Sequence, residues 1–168
     1  MFEVYTYGDS NETNRIKQKI PEKIYEQVLE HTVISAVDAI IYHQGKVLLS
    51  LRKQEPCKGQ WWIPGGRQYK GETGEEAVVR KVKEELGLDV DVKKLVGIYD
   101  VSFDKTAFQN VKTGIHYVAR VYLVQSKEGM STIQLYPTQT QFRWIEKIEE
   151  DLDDYVKTAL LQSGVFEK

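Results

Sequence analysis

A segment of 23 residues, from Gly66 to Leu88, constrains the fold and the chemistry of this chain more than any other part. Its glycines, carboxylates and arginine stand at fixed spacings, at Gly66, Glu72, Arg80, Glu84, Glu85 and Gly87. Thr73 and Glu76 have the spacing of a capping box at the start of a helix, and Gly87 suits the left-handed residue that ends one. The segment predicts a loop followed by a helix with two adjacent carboxylates in its last turn.

The two carboxylates of this helix, Glu84 and Glu85, lie beside the face that we expect in the core. At about 100° per residue, that face collects apolar side chains, those of Val78, Val82 and Leu86. Carboxylates next to a core are costly unless a positive group neutralises them. Mg²⁺ is a natural partner, because it takes oxygen ligands and retains water. The Gly65-Gly66 turn adds backbone that can approach such an ion, since glycine has no Cβ.

Lys81 opens a second interpretation of the same helix, in which no metal is needed. It lies three and four residues before Glu84 and Glu85, so its ammonium can reach both carboxylates. The helix face is then charged and solvated. This interpretation leaves unexplained the glycine pair, the Trp-Ile-Pro segment before it and the spacing to Arg80.

The remaining pattern predicts an α/β fold in which helices cover both faces of a mixed sheet. Residues 1–30 form an N-terminal extension that is partly helical after Pro21 and is a candidate dimer contact around Ile16 to Val28. Residues 31–168 form the main domain, with strands expected at 32–42, 46–51, 61–63, 90–101, 114–125 and 142–145. A helix over 146–166 places a cluster of acids at its start, where the macrodipole favours them. This order of elements is typical of an α/β/α sandwich.

The composition excludes several classes of protein. The net charge is −2 and the pI is about 6.0, so no excess of basic residues is available for a nucleic-acid backbone. The single cysteine, Cys57, cannot form an internal disulfide, and the start of the chain does not resemble a signal peptide. No apolar run reaches the roughly 20 residues of a membrane span. We therefore expect a cytoplasmic protein without a stable nucleic-acid or membrane partner.

The segment 66–88 resembles the sequence box of the Nudix hydrolases along its whole length. The matching pattern is Gly66-x5-Glu72-x7-Arg80-x-Val82-x-Glu84-Glu85-x-Gly87-Leu88. The resemblance implies an α/β/α Nudix sandwich, dependence on Mg²⁺ or Mn²⁺, and substrates in which a nucleoside diphosphate is linked to another group. It also implies that the structural positions of the motif are Gly66, Glu72, Arg80 and Gly87.

Residues from about 30 to 145 are similar to one branch of that family, the GDP-mannose mannosyl hydrolases. The similar stretches are 37–40, 51–52, 56–67, 116–117 and 142–144. In this branch a single metal ion is held by a glycine carbonyl and the second glutamate of the box, which match Gly65 and Glu85. Arg52 and Arg67 match arginines that contact the diphosphate, and Asp38 matches an acid near the leaving group. The branch attacks the anomeric carbon of the sugar and releases a nucleoside diphosphate.

Two positions depart from these patterns. Lys81 stands where the Nudix box has a glutamate, a position at which the mannosyl-hydrolase branch is also degraded. The branch has a histidine base shortly before its Tyr-Arg-Trp, where this chain has Gln139 or, with a one-residue gap, Thr140. Neither side chain accepts a proton at neutral pH as imidazole does. The other candidates for the base, which the sequence does not rank, are Asp38, Glu84 and His116.

Three functions are consistent with these residues. The preferred one is a Mg²⁺-dependent Nudix hydrolase that cleaves a nucleotide sugar and acts as a homodimer. The second is a pyrophosphohydrolase that attacks phosphorus in the same substrate or in a nucleoside triphosphate. The third is a non-catalytic nucleotide-binding module, in which Lys81 satisfies both glutamates and no metal is required.

For the preferred function, the candidate residues divide by role. The catalytic candidates are Arg52, Arg67, Glu84 and Glu85. The substrate-binding candidates are Asp38, Arg52, Arg67, His116 and Tyr117. The candidate metal ligands are Gly65, Glu84 and Glu85. We expect Lys81 to pair with Glu84, which leaves Glu85 as the principal carboxylate for the metal.

Overall fold

A seven-stranded mixed sheet carries three helices in the computed structural model, which describes residues 20–127, 133 and 139–167. The strands are β1 (Ile34–His43), β2 (Lys46–Arg52), β3 (Trp61–Trp62), β4 (Gly65–Arg67), β5 (Val90–Phe103), β6 (Ile115–Ser126) and β7 (Gln139–Ile145). The helices are α1 (Glu22–His31), α2 (Gly74–Leu86) and α3 (Asp154–Ser163). Within these described ranges, no helix is long and apolar enough to cross a membrane.

Strand β1 lies at the centre of the sheet and determines where the short strands meet it. The main order of strands is β3-β2-β1-β6-β5, with β1 and β6 parallel. β4 pairs with the first half of β1, so that Asp38 lies opposite Gly65, and β7 pairs with β2. Helices on both faces of this mixed sheet confirm the predicted α/β/α class.

Two apolar cores lie on opposite faces of the sheet, because residues of β1 alternate between them. Val37, Ala39 and Ile41 belong to the core under α2, and Ile40 belongs to the core under α3. From α2 the first core takes Ala77, Val78, Val82 and Leu86, and from α3 the second takes Val156, Ala159 and Leu160. A strand that is covered on both faces reads as a nearly continuous apolar run, as the sequence of β1 does.

Helix α2 begins and ends where the sequence predicts. The Glu76 amide donates to Thr73 Oγ1 at 3.1 Å, and the Thr73 amide donates to Glu76 Oε2 at 2.8 Å. Gly87 ends the helix with φ of 72°, and its amide donates to the carbonyl of Lys83 at 3.0 Å. These two ends determine which side chains of the last turn face the sheet.

Helix α1 packs on the same chain. Leu29 is 4% exposed and lies in a cluster with Ile34 and Val111. The Asn110 amide donates to Glu26 at 3.1 Å, and the Thr113 hydroxyl donates to Glu30 at 2.9 Å. Part of the apolar surface that suggested a dimer contact is therefore covered within the chain. Residues 1–19 of the predicted extension lie outside the described residues, and the homodimer stays a prediction.

The expected start of the C-terminal helix is wrong. Helix α3 begins at Asp154, eight residues later than position 146, because the Asp153 carboxylate caps it by accepting from the Tyr155 amide at 2.9 Å. Two of the acids before that cap, Glu149 and Asp151, bind an arginine. Arg143 Nη2 lies 2.6 Å from Glu149 and 3.5 Å from Asp151, so these carboxylates bind an arginine instead of meeting a helix macrodipole.

Strand β4 was expected to be a turn, and the structure corrects this. Its three residues include two glycines, which have low strand propensity. Pairing with β1 supplies the backbone hydrogen bonds instead, and the Gln68 amide extends the contact by donating to the carbonyl of Ser35 at 3.0 Å. Tertiary pairing therefore overrides local preference at this position.

Removing the Thr73 hydroxyl tests the start of α2. In Thr73→Ala the Glu76 amide loses its acceptor, and we expect the free energy of unfolding to fall by about 1 kcal/mol. Urea denaturation followed by circular dichroism measures this change. Thr158→Ala on the exposed face of α3 is the matched control and should change stability little. An equal loss in both variants would contradict the capping role.

Candidate active site

One concave site, which we call the main cavity, lies where the central strands meet the end of α2. It encloses about 240 Å³. Predicted site residues that line it are Asp38, Arg52, Gly65, Arg67, Glu85 and Tyr117. They come from β1, β2, β4, α2 and β6, so the fold gathers side chains that are distant in sequence. The structure thereby brings most of the predicted site together.

Two predicted site residues, Glu84 and His116, do not line the main cavity. The Glu84 side chain is 39% exposed, and its Oε2 lies 3.0 Å from Arg80 Nη1. His116 is exposed on β6, with Nε2 3.5 Å from Asp100 Oδ1. Successive residues of a strand face opposite sides, so Tyr117 reaches the cavity and His116 does not. Gln139 and Thr140 lie in β7, where the structure describes only their backbone.

Asp38 is an acid held inside the main cavity. It is 5% exposed, and the Tyr155 hydroxyl of α3 donates to its Oδ2 at 2.5 Å. Burial raises the pKa of Asp38 from 3.8 to about 7, although the Tyr155 hydrogen bond and the Arg52 charge oppose the rise. This carboxyl group therefore changes its protonation state near neutral pH.

Tyr155 is a site residue that the sequence analysis missed. Its ring stacks on Trp62, with centroids 5.4 Å apart and planes 23° apart, and meets the edge of Tyr99 at 5.4 Å. Burial and the Asp38 charge raise its pKa far above the usual range, so its hydroxyl remains a donor. Its acid partner lies 117 residues earlier in the chain, and no local pattern separates Tyr155 from an ordinary core tyrosine.

Two arginines reach the main cavity from β2 and β4. Arg52 is held by its Nε, which donates to the carbonyl of Pro56 at 2.6 Å. Arg67 lies over the rings of Tyr25 and Tyr69, at 4.7 and 5.3 Å from their centroids. Its Nη1 is buried and has no hydrogen-bond partner among the residues that the structure describes. A buried guanidinium donor without a partner is suited to an oxyanion such as phosphate.

Lys81 pairs chiefly with Glu85, which corrects the expectation that it pairs with Glu84. Its Nζ lies 2.8 Å from Glu85 Oε1 and 3.6 Å from Glu84 Oε2. The side chain crosses over Gly66, where an added Cβ would lie 2.7 Å from Lys81 Cε. Arg80 already binds Glu84 from the preceding turn, so the ammonium moves to the more buried carboxylate.

Glu72 and Arg80, two structural positions of the motif, form an ion pair. Arg80 Nε and Nη2 lie 2.5 and 2.9 Å from the two carboxylate oxygens of Glu72. Burial opposes ionisation of Glu72, but the bonds from Arg80 outweigh it and hold the pKa of Glu72 below its usual value. Arg80 Nη2 also donates to the carbonyl of Arg67 at 3.1 Å. This pair therefore ties α2 to β4 and holds Arg67 in place.

The donors of the main cavity fit one divalent cation with few protein ligands. A Cβ on Gly65 would lie 1.8 Å from Asp38 Oδ1 and 2.5 Å from the carbonyl oxygen of Val37, so oxygens crowd this backbone. Glu85 adds a carboxylate that is 7% exposed. Mg²⁺ accepts such hard oxygens and retains several waters. Within the described part of the chain, no three His, Cys, Asp or Glu side chains form a group that could hold a metal.

Replacing Asp38 by Asn should change how stability depends on pH. The pKa of Asp38 is about 7 in the folded protein and about 4 in an unfolded chain, so the folded state binds more protons between these values. Wild-type stability therefore decreases from pH 4 to pH 7, and Asp38→Asn, which keeps an acceptor for Tyr155, should gain a few kcal/mol relative to wild type over that window.

Urea denaturation at several pH values in EDTA measures this difference. Asp104→Asn, at an exposed position, is the control and should follow the wild-type curve. Parallel curves for wild type and Asp38→Asn would show that the Asp38 carboxyl does not have a raised pKa.

Reversing the charge at position 81 tests whether Lys81 limits metal binding. Lys81→Glu removes the ammonium from Glu85 and adds a carboxylate, so we expect roughly tenfold tighter binding of Mn²⁺ or a second bound ion. Calorimetry on the metal-free protein measures both quantities. Lys83→Glu makes the same charge change on the same helix, but Lys83 is 53% exposed and binds Asp89 at 2.7 Å. Equal effects in the two variants would show that position 81 does not face the site.

The sequence of this chain is similar to those of known proteins. The sequence model of the NUDIX domain matches residues 33–157. The low-salt glycan biosynthesis protein Agl8 of Haloferax volcanii is 29% identical over 150 residues, which are 89% of this chain and 94% of that protein. An ADP-ribose pyrophosphatase of Methanocaldococcus jannaschii is 47% identical over 87 residues, which are 52% of this chain and 50% of that protein.

Solved structures show the same fold. A MutT NUDIX hydrolase from Burkholderia pseudomallei has a TM-score of 0.65 at 28% identity, covering 79% of this chain and 98% of its own. A bifunctional NMN adenylyltransferase/ADP ribose pyrophosphatase from Francisella tularensis, complexed with AMP and a Mn ion, has a TM-score of 0.61 at 18% identity, covering 86% and 45%. Because the family model spans most of the chain and includes all of α2, this protein belongs to the Nudix hydrolases.

Proposed function

We propose that this Nudix hydrolase cleaves a nucleotide sugar at the anomeric carbon, releasing the sugar and a nucleoside diphosphate. Nudix hydrolases act on nucleotide-derived substrates and use divalent metal ions. The observation that carries the proposal is that Arg67, whose buried Nη1 has no hydrogen-bond partner among the described residues, lines the main cavity together with Arg52 and the buried Glu85. We propose Mg²⁺ as the metal, and a homodimeric, cytoplasmic enzyme remains our expectation from the sequence.

The two arginines suit a departing diphosphate. Planar guanidinium groups bind phosphate oxygens in pairs and remain charged at every working pH. Arg52 is anchored through Nε, and Arg67 is fixed between two rings, so both are ordered before the substrate arrives. Order of this kind stabilises developing charge without reorganisation during the reaction. A divalent ion held by the Gly65 carbonyl and Glu85 would add positive charge at the same leaving group.

Asp38 is our candidate for the general base, because of its position. Of the three candidates from the sequence, it alone lines the main cavity among the described residues. Water forms a bond to the anomeric carbon and passes a proton to the Asp38 carboxylate. The bond from that carbon to the phosphate oxygen breaks, and its electron pair leaves with the nucleoside diphosphate. Tyr155 holds the carboxylate in place by donating to Oδ2.

A sugar-containing substrate is also supported by a relative. The Haloferax protein, similar along most of both chains, is named for glycan biosynthesis. Attack at phosphorus is the second candidate, favoured by the similarity to the ADP-ribose pyrophosphatase, which has a higher identity over a shorter stretch. The two reactions give different products from the same substrate.

Hydrolysis of a nucleotide-sugar panel in ¹⁸O-labelled water tests the proposal. With Mg²⁺ present, we expect label in the released sugar and none in phosphate, and Glu85→Gln should lower kcat at least roughly a hundredfold. Glu150→Gln makes the same change at an exposed position and should retain activity. Label in phosphate would contradict attack at carbon and would favour attack at phosphorus.

The same panel also examines the non-catalytic alternative. Binding of nucleoside diphosphates without turnover of any substrate would contradict hydrolysis. That result would favour a binding module, because the Lys81 ammonium already lies 2.8 Å from Glu85.

A further inference from the structure

A second cavity, which we call the aromatic cavity, adjoins the main cavity. It encloses about 410 Å³, and Tyr25 and Arg67 line both cavities. The aromatic cavity is also lined by Tyr69, Arg80, Lys81 and Phe108. Its wall combines α1, the end of β4, the middle of α2 and the loop between β5 and β6. None of the roles assigned so far to the Nudix motif uses this cavity.

Aromatic rings and guanidinium groups contact one another in series along the wall of the aromatic cavity. Phe108 meets Tyr25 edge to face, with centroids 5.4 Å apart. Arg67 lies 4.7 Å from the Tyr25 ring and 5.3 Å from the Tyr69 ring, and Arg80 lies 3.8 Å from the Tyr69 ring. Aromatic rings and guanidinium planes are the surfaces on which proteins stack nucleobases.

The cations of this wall are not equally neutralised. Arg80 binds the carboxylates of Glu72 and Glu84, and Lys81 binds Glu85. Arg67 has no carboxylate within ion-pair distance among the described residues, and its Nη1 lacks a hydrogen-bond partner there. The positive charge available to a ligand therefore lies at the boundary between the two cavities.

The two cavities differ in chemistry. Besides the arginines, the main cavity presents hydrogen-bonding groups from Asp38, Ser50 and Tyr117, which suit a sugar with many hydroxyls. The aromatic cavity presents ring faces and edges, which suit a planar heterocycle. A nucleoside diphosphate sugar has a planar base at one end and a sugar with many hydroxyls at the other, with the phosphates between them.

We propose that the aromatic cavity binds the nucleoside of the substrate, with the base against Tyr69 and Phe108 and the diphosphate at Arg67. The sugar then occupies the main cavity. The identity of the group in the main cavity rests on the proposed function, whereas the nucleoside site does not. Helix α1 becomes a substrate-binding element, because Tyr25 holds one face of Arg67.

Removing one ring tests the nucleoside site. Phe108→Leu keeps apolar volume against Ile34, Val111 and Leu29 but removes the ring face. We expect the Kd of the tightest-binding diphosphate among GDP, ADP and UDP to rise roughly tenfold or more, and the Kd of inorganic pyrophosphate to stay within about twofold. Phe108→Trp should restore nucleotide affinity. Calorimetry on the full chain with Mg²⁺ measures the Kd of the nucleotide and of pyrophosphate for the wild type and for each variant.

Phe166→Leu is the matched control, since Phe166 is also partly buried against a core cluster and lies outside both cavities. An unchanged nucleotide Kd in Phe108→Leu overturns the proposal. Equal weakening of nucleotide and pyrophosphate also overturns it, because the effect is then general damage to the Arg67 site. If Phe108→Leu does not fold, Tyr69→Leu is measured against the same criteria.

The two proposals fail in different ways. Selective loss of nucleotide affinity in Phe108→Leu, together with no sugar release from any nucleotide sugar, retains the nucleoside site and rejects the proposed function. Sugar release by the wild type with a nucleotide Kd independent of Phe108 retains the function and rejects the nucleoside site.

Discussion

Two buried carboxylates in one cavity, Asp38 and Glu85, are the constraint on which the arrangement of this site depends. A carboxylate removed from water requires a proton, a hydrogen bond or a positive partner. The fold meets this requirement differently for each acid. Asp38 has a raised pKa and a bond from Tyr155, which draws α3 onto the sheet. Glu85 pairs with the Lys81 ammonium. The Lys81 side chain reaches it by passing over Gly66, where a Cβ would obstruct it.

This difference bears on how the protein handles a metal ion. The Lys81 ammonium lies 2.8 Å from Glu85. A metal ion that binds Glu85 would therefore either displace Lys81 or bind beside a second positive charge. A diphosphate changes that balance, because its negative charge compensates both cations. Under the proposed function, Arg67 and Arg52 would hold the phosphates and Glu85 would hold the metal ion, so the binding of metal and the binding of substrate would be coupled.

Local patterns were sufficient to predict α2 and its surroundings. The capping box and the glycine end both follow from short-range spacing, and both are present in the structure. The structure adds an ion pair between Glu72 and Arg80. Long-range geometry was not predictable in the same way. Tyr155 meets Asp38 across 117 residues, and β4 forms only because β1 supplies its hydrogen bonds. The preference of Lys81 for Glu85 depends on Arg80 binding Glu84, a competition that the spacing leaves open.

The role of α1 is the part of the site least visible in the sequence, since its apolar residues suggested a contact between subunits. In the structure Tyr25, Val28 and Leu29 pack in a cluster with the loop before β6, while Ile24 is exposed, and this packing places Tyr25 against Arg67. The same contacts that stabilise the helix therefore orient Arg67, the side chain that we propose binds phosphate. Weaker packing of Leu29 in its cluster would loosen Arg67 without touching it, so at the proposed nucleoside site the stability of α1 and the affinity for nucleotides would be linked.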